Sequence, residues 1–307
     1  MMNKLPKISI IGTGRVGAAV AFSLLIKGLA KEMVLVDYNA DVAAGEALDL
    51  LHATCFANPI DIYSGDYAAT KGSDIVIISA SVSAKGMKSR LDLCQGNVEL
   101  FKQTIPQIAK ASPEAILLII SNPLDIMTYV ALKISGFAKS KVIGTGTLID
   151  SGRFRSLLAS RAKVHPEDVS AYILGEHGDS QFPVLSRADI GGVVFKKHSA
   201  EVVADIFEQT RFGGYAVIKR KGFTCYSIAL ATVTLVASIV YDSRRIYPVS
   251  TLVNGYCGVD DICISVPAII GGEGILRILE LEMTTVEQKS FRNSAEILQK
   301  IIASLRL

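Results

Sequence analysis

Short apolar runs rich in valine and isoleucine recur through the first half of the chain, with helical stretches between them. Lys7–Ile11, Met33–Val36, Asp74–Ser79, Ala115–Ser121 and Lys141–Gly144 are too short for typical helices and are bounded by Gly, Asn, Asp or Ser, which predicts strands. Between the first two, Val16, Val20, Leu24 and Leu25 recur at helical spacing and predict a helix over 16–30. Strands alternating with helices require crossovers, hence a parallel sheet covered on both faces. The strands are almost continuously apolar, as doubly buried strands are. After about residue 145 the rhythm changes. A helix is expected over Ser151–Lys163, then a region punctuated by Gly and Pro, then an uncharged helix within Phe223–Tyr241. Val249–Val253 and Asp261–Val266 read as two strands around Asn254-Gly255, and Thr285–Leu305 as a closing amphipathic helix. No repeat, low-complexity tract or linker separates the two halves.

Composition narrows the class. Half of the 307 residues are hydrophobic and 20% are charged, which excludes a disordered chain. The net charge of +3 is spread out with no basic block, which argues against a nucleic-acid partner. Cys55, Cys94, Cys225, Cys257 and Cys263 are odd in number and form no CxxC pair. They resemble reduced thiols of a cytosolic protein rather than a disulfide framework or a zinc site, and no metal is expected. The start, MMNKLPKISIIG, lacks the long apolar region of a secretory signal. Phe223–Tyr241 runs nineteen positions without a charge, close to a membrane span. It carries five Ser or Thr hydroxyls and has no companion segment, so a buried helix and no membrane association are expected.

Candidate chemistry begins at Gly12-Thr13-Gly14-Arg15-Val16-Gly17, which follows the first strand and opens the first helix. The first glycine permits a tight turn, the second lets backbone approach a pyrophosphate, and the third permits close helix–strand packing. Helix N-terminal amides and the helix dipole favour the phosphates. Asp37 lies twenty residues after Gly17 at the end of the second strand, where a carboxylate accepts from ribose hydroxyls and repels a 2′-phosphate. NAD rather than NADP is the expected cofactor. A second candidate is His177, set between glycines in Gly175-Glu176-His177-Gly178-Asp179-Ser180. His52, His165 and His198 lack such a setting and read as structural or surface residues. Asp150-Ser151-Gly152-Arg153 begins a predicted helix; taken alone it reads as an N-cap followed by a surface arginine.

Taken in order, GTGRVG, VLVD, GEALDL, SNPLD, DSGRFR, GEHGDSQFPV and ISVPAIIGGEGI resemble the L-lactate and malate dehydrogenase family from Lys7 nearly to the C-terminus. Ser180–Ser186 and the SRLDL segment are closer to the lactate branch. The resemblance implies an α/β fold: a Rossmann-type doubly wound parallel sheet binding NAD over 1–145, followed by a mixed α+β catalytic domain over 146–307. It implies cofactor contacts from Gly12, Gly14, Val16, Gly17, Asp37, Tyr67, Asn122 and Thr145. His177 would be the proton-transfer residue, Asp150 its carboxylate partner, and Arg153 the clamp on the substrate carboxylate. Asn122 would touch both substrate and nicotinamide. Arg90 would polarise the substrate carbonyl from a closing loop between about Ser81 and Leu93.

The sequence departs from the family pattern at the substrate's far end. Ala84 stands where lactate enzymes typically carry Gln and malate enzymes Arg, and Gly86 stands where Pro is common. Thr224 matches a pocket wall of lactate enzymes. An uncharged 2-ketoacid or 2-hydroxyacid is therefore expected: pyruvate, or one with a larger apolar side chain. Malate dehydrogenase remains the alternative, with Lys85 or Lys88 reaching the second carboxylate, beside a branched-chain 2-hydroxyacid dehydrogenase. Non-catalytic nucleotide sensing on the same fold would call for loss of His177, Arg153 or Asp150, and all three are present. An NAD-dependent glycosidase would need a metal-binding Cys/His cluster. Arg155 matches the arginine of the sugar-phosphate effector site in bacterial members, but Ser170 replaces its histidine, so weak or absent activation is expected. A cytoplasmic homodimer or homotetramer completes the expectation.

Overall fold

A computed structural model describes residues 5–82, 90–194 and 200–306, without the side chains of residues 90 and 200. The first half runs β1 (Lys7–Ile11), α1 (Arg15–Lys27), β2 (Glu32–Val36), α2 (Ala40–Ala53), β3 (Asp61–Ser64), β4 (Ile75–Ile78), α3 (Arg90–Ala111), β5 (Ile116–Ile119), α4 (Leu124–Ser135) and β6 (Val142–Gly144). The second half continues with α5 (Leu148–Ala162), β7 (Val169–Leu174), β8 (Phe182–Ile190), β9 (Val193–Val194), α6 (Ala200–Lys221), α7 (Tyr226–Val240), β10 (Arg245–Tyr256), β11 (Val259–Gly271), β12 (Gly274–Ile278) and α8 (Thr285–Ser304).

Among the described residues the large sheet has nine strands in the order β12-β11-β10-β6-β5-β4-β1-β2-β3. The six strands from β6 to β3 are parallel and doubly wound, as the alternation of strands and helices requires. Strand period then decides which helices cover which face. Ile8, Ile10, Met33, Leu35, Ile75 and Ile77 pack with residues of α1, α2 and α7. Their neighbours Ile11, Val34, Val36, Val76 and Ile78 pack on the other face with α3, α4 and α8. A smaller cluster joins α5 and α6 to the three-stranded sheet β7-β8-β9. The sheet passes from one half to the other where Ser250 of β10 pairs with Gly144 of β6, and α7 packs against α1.

Beyond β7, β8, β9, α6 and β12, which the sequence expectation did not name, β3 and the β10–β11 hairpin differ from it. β3 was not foreseen, because only Ile62 of its four residues is buried and it lies on the sheet edge. The hairpin of β10 and β11 is longer than expected and reverses at Cys257-Gly258, not at Asn254-Gly255. Cys257 and Gly258 both have positive φ, 52° and 78°, which matches the right-handed twist of the flanking strands, while register shifts beside Asn254 absorb the Asn-Gly pair. The uncharged segment forms α7, fifteen residues packed on the sheet, and among the described residues no helix is long and apolar enough to cross a membrane.

Candidate active site

Gly12, Asp37, Asn122 and Thr145 follow the carboxyl ends of β1, β2, β5 and β6, and the strand order reverses between β1 and β4. Gly12 leaves β1 with φ +91°, and a Cβ there would lie 2.6 Å from the Ala80 amide nitrogen beyond β4. A Cβ on Gly17 would meet the Gly12 carbonyl oxygen at 1.9 Å, so helix and turn touch without space for a side chain. Gly14 is different. It caps α1 without any side-chain hydrogen bond, is exposed, and a Cβ there would meet nothing within 4 Å. No side chain caps the first turn of α1 and open space lies beside Gly14, which suits a pyrophosphate site. Val16, half-buried, packs its side chain on the core beneath.

Asp37 ends β2 beside this turn. Its Oδ2 accepts from the Thr13 amide at 2.7 Å and the Thr13 hydroxyl at 3.2 Å, and its Oδ1 accepts from the Asn39 amide at 3.0 Å. Tyr67 faces the same carboxylate: burial, and then the Asp37 charge, push its phenol above the usual range. These groups fit a dinucleotide with free ribose hydroxyls. Thr145 is buried just past β6, its amide bonded to the Ile119 carbonyl at 3.1 Å. Asn122 is exposed past β5, and its carbonyl accepts from the Asn97 side chain at 2.6 Å. Asn97, fully buried on α3, also accepts from the Val82 amide at 2.8 Å and the Ser81 hydroxyl at 3.2 Å. It ties the start of the expected closing loop to the Asn122 turn, a role that no local pattern announces.

His177 lies on the segment between β7 and β8. Its Nδ1 is 2.5 Å from Asp150 Oδ2, and Asp150 Oδ1 accepts from Arg153 Nη1 at 3.0 Å. Asp150 is not the N-cap expected from its motif. α5 starts earlier, at Leu148 with Thr147 at the cap, because Leu148 and Ile149 are themselves buried. That places Asp150 in the first turn, 1% exposed, with Arg153 one turn on and leaning against α6. A Cβ on Gly213 would lie 3.2 Å from Arg153 Cδ and one on Gly214 3.7 Å from its Nη2. The glycine pair inside α6, unfavourable for a helix in isolation, leaves the guanidinium its place. Below the histidine, Asp125 of α4 accepts from the His177 amide at 2.7 Å. Asp125 is buried, and its position in the first turn of α4 disguises it in sequence as an ordinary favourable helix-end charge.

Burial opposes the charged imidazole, yet the Asp150 charge and hydrogen bond, with the Asp125 charge behind them, raise the His177 pKa above its ordinary value. Burial likewise opposes the Asp150 carboxylate, but His177 and Arg153 hold it below its ordinary range. Burial pushes Asp125 up to about 6, against the pull of the nearby Ser250 hydroxyl and the His177 amide. The arrangement sets a histidine against a buried carboxylate next to a cation, which is the chemistry a general acid requires. These shifts also set a pH dependence of stability. His177 and Asp125 both bind protons more readily folded than unfolded. Their contributions are full below their unfolded values and are lost as pH rises, through about 6 for Asp125 and through the raised His177 value. The depressed Asp150 has the opposite sign, and its contribution disappears only in more acidic solution. Tm is therefore expected to fall between about pH 5 and pH 8. Scanning calorimetry at the two ends checks this, and a Tm that rises over the window contradicts it.

The remaining predicted residues divide. Thr224 is half-buried between α6 and α7, and its neighbour Phe223 stacks under the Arg15 guanidinium, 4.0 Å from ring centroid to Cζ. The α6–α7 junction is thereby held against the glycine-rich turn. Arg155 and Ser170 line one small cleft together with Arg245, Tyr172 and Tyr247. Ala84, Lys85, Gly86 and Lys88 lie outside the described residues, as does the side chain of Arg90, whose backbone begins α3.

Residues 6–144 match the family model for the lactate/malate dehydrogenase NAD-binding domain, and residues 147–306 match its alpha/beta C-terminal domain. The chain is 41% identical to an L-lactate dehydrogenase of Clostridium botulinum (strain Hall) over 96% of each chain. It is also 41% identical to one of Synechococcus sp. (strain JA-3-3Ab) over 98% of this chain and 99% of that one. Among solved structures, a minor L-lactate dehydrogenase from Enterococcus mundtii in a ligand-bound form superposes with a TM-score of 0.96 at 34% identity, covering 98% of this chain and 99% of that one. A lactate dehydrogenase from a Medee basin deep-sea metagenome library gives 0.95 at 36% identity, covering 99% of each chain. With both domain models matched nearly end to end on this site, the chain belongs to the lactate/malate dehydrogenase family.

Proposed function

We propose that the protein is an NAD-dependent L-lactate dehydrogenase, reducing pyruvate or a related uncharged 2-ketoacid to the L-2-hydroxyacid. One observation carries the reading: Arg153, Asp150 and His177 are joined by two hydrogen bonds of 3.0 and 2.5 Å. Arg153 clamps the substrate carboxylate through two parallel N–H donors. Asp150 holds Nδ1 of His177 protonated and stabilises the imidazolium, so that Nε2 presents a proton to the keto oxygen. When bound, NADH supplies the hydride to C2 of the substrate. As that bond forms, the keto oxygen takes the His177 proton, and the reverse reaction returns it. Asp37 with Tyr67 holds the adenosine ribose, the α1 amides at Gly14 and Val16 hold the pyrophosphate, and Asn122 and Thr145 border the nicotinamide. By resemblance Arg90 takes the role of polarising the keto group, and Ala84 and Thr224, neither of them charged, take the positions that set the substrate's far end. Apolar residues exposed on α1 and α2, such as Phe22, Ile26, Leu48 and Leu51, suit a homodimer or homotetramer.

A ketoacid panel tests the reading. With NADH, kcat/KM for pyruvate or 2-ketoisocaproate is expected to exceed that for oxaloacetate at least about tenfold. Neither Ala84 nor Thr224 carries a charge, so a second carboxylate is denied a charge-assisted bond worth about 1.5–3 kcal/mol. NADPH is expected to be a poor substitute because Asp37 repels its phosphate. A preference for oxaloacetate sinks the lactate-type assignment, and a preference for NADPH sinks the cofactor assignment.

A further inference from the structure

The segment carrying His177 is held at its other end by a group from the C-terminal helix. Ser294 of α8 is completely buried, and its Oγ accepts from the Glu176 amide at 2.7 Å. It also lies 2.8 Å from the Ser180 hydroxyl, and that hydroxyl in turn donates to Glu176 Oε2 at 2.5 Å. A hydroxyl has a single proton to give. Since the Ser180 proton goes to Glu176, the proton between the two serines must come from Ser294. The hydrogen bonds therefore form a one-way ring: Glu176 amide to Ser294, Ser294 to Ser180, Ser180 to the Glu176 carboxylate. The ring closes around the residue immediately before His177. A Cβ on Gly175 would lie 2.8 Å from Ser294 Oγ, so the preceding position must stay bare for the helix to come this close.

The depth of Ser294 is itself fixed. α8 opens with a capping box of Thr284 and Glu287, and Glu287 also accepts from the Ser186 amide at 3.0 Å and hydroxyl at 2.7 Å, binding the helix start to β8. Ser294 lies two turns further along the same face. We propose that Ser294 is a positioning residue for His177, locking the histidine segment through the Ser294–Ser180–Glu176 ring so that the imidazole stays aligned with both Asp150 and the substrate. The proposal rests on His177 acting as the proton donor to the ketoacid.

Ser294→Ala and Ser180→Ala test it, singly and together. Each single variant is expected to lose roughly 10- to 100-fold in kcat/KM for pyruvate, the scale of a small misplacement of a reacting group. The alkaline limb of the pH profile should move to lower pH while NADH affinity stays unchanged. The double variant should fall within about twofold of the worse single one, since either change opens the same ring. A serine that serves stability alone would lower Tm and leave the limb in place. Unmoved limbs with kcat/KM within twofold of the parent, or multiplicative losses in the double variant, overturn the proposal. The pH dependence of His177 carbethoxylation by diethyl pyrocarbonate, read by mass spectrometry, needs no substrate. If the parent reduces no 2-ketoacid, the functional reading fails, whereas a lowered His177 pKa in Ser294→Ala still upholds the positioning role and an unchanged one refutes it.

Discussion

Replacing His177 by asparagine is expected to lower kcat for pyruvate reduction by about 10²–10⁴, the usual worth of a positioned general acid. Asparagine keeps an N–H near the place of Nδ1, so the bond to buried Asp150 survives and the fold is spared an unpaired carboxylate. What disappears is the proton at Nε2. The dinucleotide turn is untouched, so NADH should bind as before. The chain contains no tryptophan, so NADH fluorescence can be followed without indole emission from the protein. A variant that binds NADH normally and turns over within threefold of the parent would remove His177 from the chemistry.

Arg153→Leu is the second large effect, expected at about 3–6 kcal/mol in kcat/KM, or roughly 10²–10⁴-fold, for the loss of two charge-assisted hydrogen bonds to the substrate carboxylate. Arg153→Lys should recover only part of this, because an ammonium offers a point charge where two parallel donors are needed. The loss should appear mainly in KM, since the carboxylate is held in ground and transition states alike. Some spreads to kcat, because Arg153 also bonds to Asp150 and so stabilises the carboxylate behind His177. Steady-state kinetics on the three proteins measure the division, and equal KM values for pyruvate would show that Arg153 does not hold the substrate.

The parallel strands and the glycine turn were legible because their signals are local: a run of four or five apolar residues, and glycines where adjacent backbone leaves no space. His177 was legible through its flanking glycines and the motif around it. Asp150 was legible only through resemblance, since its own context suggested a cap. The groups that fix His177 in place were not legible, because their partners are far off in sequence. Asp125 is 52 positions away and Ser294 lies 118 positions beyond Glu176. A buried serine in an amphipathic helix looks like any small core residue until the chain folds and supplies its partner. β3 escaped for a different reason, having just one buried side chain to mark it.

The packing of α7 on α1 has a consequence for the order in which the protein is made. Synthesis from the N-terminus delivers β1, α1 and the rest of the parallel sheet long before residue 240 leaves the ribosome. Until then the apolar side of α1 and β1 that later receives Val233, Val236 and Ile239 lies bare, and β6 is an unpaired edge awaiting Ser250. The nascent first half is thus a sticky, unfinished body whose rescue is encoded a hundred residues downstream, and the uncharged segment that resembles a membrane span is its cover.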